Sequence, residues 1–253
     1  MAWTVRDVYE IIDAFAPFDT AMEGDNAGLL VGRMEQPVHT VLTALDATPG
    51  AVLEAKSLGA QLLVTHHPVL FAPRKRLDES DPEAALLCDI VRANLSMIAA
   101  HTNLDAAPGG VNDTLLERVG WDGARADGLI RWGVFSSSRT VGGLEKNVSD
   151  SLGAPVMRYG DAGRAVRRFA VCSGSGNSEI AHAAKLGADV FLTGEIRHDA
   201  ALEAMARGMA VLAAGHRATE ICAADVLAKR LQSAADAVQL NVRVFVSKYD
   251  PFL

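Results

Sequence analysis

The chain has 253 residues, 49% of them hydrophobic and 22% charged, with a formal net charge of −7. That length supports one large or two modest domains, and the acidic balance argues against broad nucleic-acid binding through the phosphate backbone. No apolar run approaches the roughly 18 residues of a spanning helix. The opening MAWTVRDVYEIIDAF carries Asp7, Glu10 and Asp13 and does not read as a signal peptide. Cys88, Cys172 and Cys222 form no CxxC pair, against both a disulfide framework and a thiolate zinc site. A cytoplasmic protein with no membrane partner is the expectation.

In chain order, the pattern predicts a first helix with Thr4 as N-cap and Pro17 as its stop. VHTVLTALD (38–46) is a predicted strand, and a helix follows with Thr48 as N-cap, Pro49 in its first turn and Gly59 at its end. QLLVTHH (61–67) is the next strand, DPEAALLCDIVRANL (81–95) a helix opened by Asp81 and Pro82, and SMIAAH (96–101) another strand. After GGVNDTLLERVG comes a Gly- and Ser-rich stretch, 120–155, with few long apolar runs. It marks a boundary between two lobes, 1–123 and 124–253, with the C-terminal strand free to pack on the first. PRKR (73–76) and RAVRR (164–168) read as solvated loop charges.

The second half repeats the first in outline. KSLGAQLLVTHH (56–67) matches AKLGADVFLTGE (184–195), and MIAAHTNLD (97–105) echoes VLAAGHRATE (211–220). Two echoes in the same order predict duplicated βαβ lobes, an α/β fold.

In open α/β sheets, functional groups gather past the carboxyl ends of strands. His66, His67, His101 and His216 all fall at such ends, with Asp105 and Glu220 just beyond. Successive strand residues face opposite sides. A strand ending in a turn, with Pro68 keeping its predecessor extended, instead aims His66 and His67 at two neighbouring ions. His216 and Glu220, if they open a helix, lie one turn apart on one face. A lone histidine at a strand end is more often structural, and an HH pair leaves the two readings balanced. Two further His-x3-acid segments tip the balance to metal. Nitrogen and oxygen donors without thiolate suit zinc, iron, manganese, cobalt or nickel. CSGSGNSE (172–179) lacks the third glycine and downstream acid of a dinucleotide fingerprint, favouring a plain βα turn over a phosphate cradle. TGEIRHD (193–199) puts Glu195, Arg197 and His198 where the first half has its histidine pair. It is either an ordinary helix start or a source of groups supporting a substrate.

LLVTHHPVLF, AAHTNLDAAPGGVND, ADVFLTGEIRHDAL and GHRATE, with GDNAGLLVG (24–32) and VRVFVSKYDPF, together resemble the Nif-three-like dinuclear metal-centre family. Its members carry the name GTP cyclohydrolase 1 type 2 homologue. The resemblance implies two pseudo-duplicated α/β lobes with a dinuclear metal site between them, two divalent ions per chain and a homohexameric ring. It implies His67 and Asp105 on one ion, His66 and His216 on the other, Glu220 bridging, and His101 beside them. Gly24 stands where the family usually has tryptophan, and Arg217 where an aromatic is common; both departures bear on the substrate pocket rather than the ligands. Residues 121–168 leave no room for the middle domain of longer members.

Two close divalent ions activate water and steady a developing oxyanion, so metal-dependent hydrolysis is the natural reaction class. The resemblance implies a nucleotide, GTP, as the small-molecule substrate. His101, His198 and Glu195 are candidate catalytic proton shuttles, and Arg197 or Arg217 candidate holders of a triphosphate. A phosphoester hydrolase fits the same ligands. A non-catalytic metal-handling or regulatory ring is the reading from a different class.

Overall fold

In the computed structural model, which describes residues 3–252, β1 (Trp3–Thr4) runs straight into α1 (Val5–Phe15). The Thr4 side chain accepts from the Asp7 N–H while the Asp7 carboxylate accepts from the Thr4 N–H, a reciprocal cap that fixes the helix start. Val5, Val8 and Ile12 form its buried stripe at helical spacing. There follow β2 (Gly28–Val31), β3 (Pro37–Val38), β4 (Thr40–Ala44), α2 (Pro49–Ser57), β5 (Leu62–Thr65), α3 (Pro82–Arg92), β6 (Ser96–Ala99) and α4 (Thr102–Ala106). Every residue of β4, β5 and β6 is buried, the signature of parallel strands covered on both faces. Thr48 and Asp81 cap α2 and α3, each followed by proline in the first turn, as their sequences predict.

The next part of the chain, Gly109–Cys222, is a compact unit of its own. It contains α5 (Val111–Val119), β7 (Arg125–Asp127), β8 (Ile130–Thr140), α6 (Val141–Leu152), β9 (Met157–Tyr159), β10 (Ala165–Ser175), α7 (Ile180–Lys185), β11 (Val190–Glu195), α8 (His198–Ala206), β12 (Ala210–Ala213) and α9 (His216–Glu220). Its sheet runs β7-β8-β10-β11-β12-β9. Leu115, Leu116 and Val119 of α5 bury against Phe169, Val190 and Leu212 of this sheet. The unit therefore opens at Gly109, and the expected lobe boundary at residue 123 falls inside it. The Gly- and Ser-rich stretch also holds more order than its composition suggests. β8 is eleven residues long because its first half is buried and its serine-rich second half is an exposed ribbon.

From Ala223 the chain belongs to the first unit again. α10 (Cys222–Ala237) leads to β13 (Arg243–Val246), which pairs parallel with β4 and completes a sheet ordered β13-β4-β5-β6-β2. The Thr43 hydroxyl donates to the carbonyl of Ala224, a buried tie between that sheet and the returning helix.

The internal echo is visible in the topology. β4, β5 and β6 are parallel neighbours, and β2, the strand before β4 in this sheet, closes their edge antiparallel. β10, β11 and β12 are likewise parallel, and β9, the strand before β10, closes theirs antiparallel. Even the register agrees: Leu62 pairs with Ser96, and Val190 with Ala210. Among the described residues no helix is long and apolar enough to cross a membrane.

Candidate metal centre

In the first unit, β5 stops at Thr65, and the next two residues leave the regular ladder. His66 N–H donates to the Ala44 carbonyl and His67 N–H to that of Leu45, while the Thr65 hydroxyl bonds the His67 carbonyl at 2.7 Å. The bend brings the two imidazoles together, with centroids 4.9 Å apart. His101, just past β6, lies 5.1 Å from the His66 ring and 5.5 Å from the His67 ring. One nitrogen from each of the three rings lies within 4.8 Å of the others. Asp105, in α4, brings Oδ1 to 3.7 Å from His66 Nε2.

All three rings are held at Nδ1. That of His66 meets the Ala100 carbonyl at 2.9 Å, that of His67 meets Asp46 Oδ1 at 2.7 Å, and that of His101 meets Asp25 Oδ1 at 2.8 Å. An N–H donated there fixes the tautomer and turns Nε2 into the lone-pair donor, the arrangement that metal-binding histidines use. Asp25 also accepts from the Thr102 N–H and hydroxyl. Burial pushes its carboxyl up, but the bonds from His101 and Thr102 outweigh burial and hold it well below the usual carboxylate range.

In the second unit the donors sit past β10, β11 and β12. His216 opens α9 and Glu220 follows one turn later, with Nε2 and Oε2 2.9 Å apart. His216 Nδ1 faces Glu195 Oε2 at 3.3 Å. Glycines make the room. A Cβ on Gly174, whose φ is +56°, would stand 2.0 Å from Glu220 Oε1 and 3.2 Å from His216 Nε2. A Cβ on Gly194 would stand 2.7 Å from both the Gly174 carbonyl and Thr219 Oγ1. The amides of the glycine-rich turn are committed internally, Gly174 N–H to Thr219 Oγ1 and Gly176 N–H to Thr193 Oγ1. The turn is shaped around a carboxylate.

Of the residues singled out in the sequence, His66, His67, His101 and Asp105 gather in the first unit, and His216, Glu220 and Glu195 in the second. His198 is the first residue of α8, exposed, with no side-chain hydrogen bond or ion pair among the described residues. Arg197 is joined to Asp199 through Nε and Nη2, at 3.1 and 3.0 Å. Sequence reasoning missed Asp46, Asp25, Gly174 and Gly194. Asp46 closes the strand VLTALD beside the strand that ends in the histidine pair, a signal that was available. Asp25 is 76 residues from the ring it holds, and no local pattern links them.

Imidazole nitrogen and carboxylate oxygen, with no sulfur, are the donors that borderline divalent cations take, so the residues present fit a divalent metal. The family model for Duf34/NIF3 (NGG1p interacting factor 3) matches residues 3–251. A GTP cyclohydrolase 1 type 2 homolog of Clostridium acetobutylicum is 30% identical, over 100% of this chain and 99% of its own. That of Clostridium perfringens is 32% identical, over 98% of each. The crystal structure of a Staphylococcus aureus hypothetical protein, SA1388, superposes with a TM-score of 0.91 at 26% identity, covering 100% of this chain and 99% of that one. With a match from end to end and the same architecture in a relative, the chain belongs to the Duf34/NIF3 family.

Proposed function

We propose that the donor sets of the two units together hold two divalent metal ions, and that the protein is a metal-dependent hydrolase of a small molecule. The observation that carries this reading is the common treatment of His66, His67 and His101, each with an acceptor at Nδ1 and so presenting Nε2, while His216 has a carboxylate facing each of its ring nitrogens. The ligands in this reading are His66, His67, Asp105, His216 and Glu220, with the two oxygens of Glu220 bridging. The 3.7 Å approach of His66 to Asp105 favours these two on one ion, the reverse of the pairing that the resemblance implies. A bound ion pair would supply an activated water and neutralise negative charge on the substrate.

The chain's own residues do the rest. Asp46 and Glu195 hold ligand rings in orientation. His101, fixed at Nδ1 by Asp25, is the group to carry a proton at Nε2. Phe71 stands edge-on to its ring at 5.5 Å and covers one side of it. The relatives' name makes GTP the first substrate to try. The three-imidazole cluster favours one alternative. If His101 is itself a ligand, coordination closes, and the protein stores or delivers metal.

Elemental analysis of protein purified without added metal or chelator tests this, followed by assays on GTP, other nucleotides and phosphoesters. Two ions per chain, with turnover that chelation abolishes, is the expected result. Two ions without turnover favours the metal-handling protein, and no metal overturns both. His101→Ala should keep its metal and lose turnover by roughly 10²–10⁴-fold if the residue moves a proton; loss of metal instead makes it a ligand. Assembly into a homohexameric ring belongs to the same reading. A monomer mass by light scattering would remove it.

A further inference from the structure

Past the carboxyl ends of β10, β11 and β12, the second unit has a cavity of about 960 Å³. Met157, Tyr159 and Ile196 give it apolar surface, and Asn177, Glu195 and Arg197 line it with polar groups. We propose that this cavity is the ring-binding subsite of the protein's ligand, and that it takes a flat heteroaromatic ring with N–H donors on its edge and no anionic group.

The volume suits a small molecule, and strand ends of an open α/β sheet are where such molecules bind. The Tyr159 hydroxyl lies 2.9 Å from the Met157 sulfur, which fixes the two side chains against one another. A phenol ring and a thioether are the surfaces that the face of an aromatic ring prefers. Met157 is 61% exposed, apolar area that a bound ring would remove from water.

The polar groups decide the ligand's charge. Among the described lining residues the one cation is Arg197, whose guanidinium is taken up by Asp199 in a two-bond pair. With Arg197 paired to Asp199 and Glu195 beside it, the local charge disfavours a phosphate chain. The Asn177 amide oxygen accepts from the Arg197 N–H, and one of its two N–H donors goes to the Ser175 hydroxyl. Glu195 is the charged acceptor in the lining, and its carboxylate oxygens favour a donor on the ring edge. Because Glu195 also faces His216, a ring held here has its substituents next to the donors of this unit. The assignment rests on the hydrolase reading only for what then happens to the ring.

Calorimetric titration of the full chain as purified, with guanosine, adenosine and inorganic tripolyphosphate, tests it. Wild type should be compared with Met157→Asp, at an exposed position where the fold is not at stake, and with Ile196→Asp. The expected result is nucleoside affinity lowered roughly tenfold or more in both variants, with metal content and tripolyphosphate binding unchanged. No nucleoside binding to wild type, or equal affinity in both variants, overturns the subsite. Cavity-dependent nucleoside binding by a protein that hydrolyses nothing would refute the hydrolase and keep the subsite. Hydrolysis with cavity-independent binding would do the reverse.

Discussion

The His66 side chain is fully buried and its Nδ1 ends on a backbone carbonyl, whereas His216 is 34% exposed and leans on a glutamate that is itself 59% exposed. The first unit positions its imidazoles by anchoring them, through Ala100, Asp46 and Asp25. The second positions its pair by clearance, removing side chains at Gly174 and Gly194 so that α9 can approach the strand ends. One duplicated topology has thus been given two ways of aiming donors. The buried ties of His66 and of Asp25 resist competition from water, that of half-exposed Asp46 less so, and the exposed one at Glu195 least. The first donor set should therefore be the more rigid, and the second the more easily tuned by whatever occupies the neighbouring cavity.

The largest effect expected is that of Glu220→Gln. If Glu220 bridges, losing its charge should lower metal content at both positions, whereas His66→Ala should lower it mainly at one. Elemental analysis of the two variants side by side checks this, and full occupancy in Glu220→Gln would remove the bridge. Next in size is Gly174→Ala. At φ +56° any side chain costs about 1 kcal/mol. Gly120→Ala, at φ +67° with nothing within 4 Å of the new Cβ, isolates that backbone cost. Both variants should melt lower, but only Gly174→Ala should also lose metal, because only there does the methyl meet Glu220. Equal metal content in the two would mean that clearance is not what places the carboxylate.

Asp25 tests the anchored set by acid. Its pKa lies below that of the unfolded chain, so its ties to His101 and Thr102 contribute stability above roughly pH 4, lost as pH falls through the lower folded value. Asp25→Asn should lower the melting temperature at neutral pH, and the gap to wild type should narrow in acid. A gap that is constant with pH would show that the carboxylate's charge does not hold the ring.

Much of this was legible in the sequence because it is local. Thr4, Thr48 and Asp81 cap helices within three residues of themselves, and LLVT followed by two histidines announces a strand end with chemistry on it. The Leu-Gly-Ala echo located the duplicated strands for the same reason. The missing parts are those in which distant segments decide. β8 is a strand because it pairs with β10 on both sides of an irregularity that takes in its three serines, and the serines carry no apolar pattern to say so. α5 reads as belonging to the first half, but its leucines are buried against Phe169 and Leu212, far along the chain. His198 is the converse case. A histidine beside Glu195 and Arg197 looks like part of a site, yet the helix that begins with it leaves it in solvent.

The smallest effects make the sharpest test of anchoring against clearance. Asp46 and Glu195 are placed alike, each facing a histidine ring at Nδ1, but at 2.7 Å for His67 and 3.3 Å for His216. Removing the charge of such a partner typically lowers metal affinity between about 10- and 100-fold, because the ring loses orientation and basicity. Asp46→Asn should fall within that range. Glu195→Gln should fall at its lower edge or below, because the longer contact is weaker, solvent competes for it, and Gly174 and Gly194 still hold α9 in place. Competition titration against a chelator of known affinity reads both variants on one scale. Equal losses would show that Glu195 anchors His216 as firmly as Asp46 anchors His67. A larger loss in Glu195→Gln would reverse the assignment of rigidity between the two units.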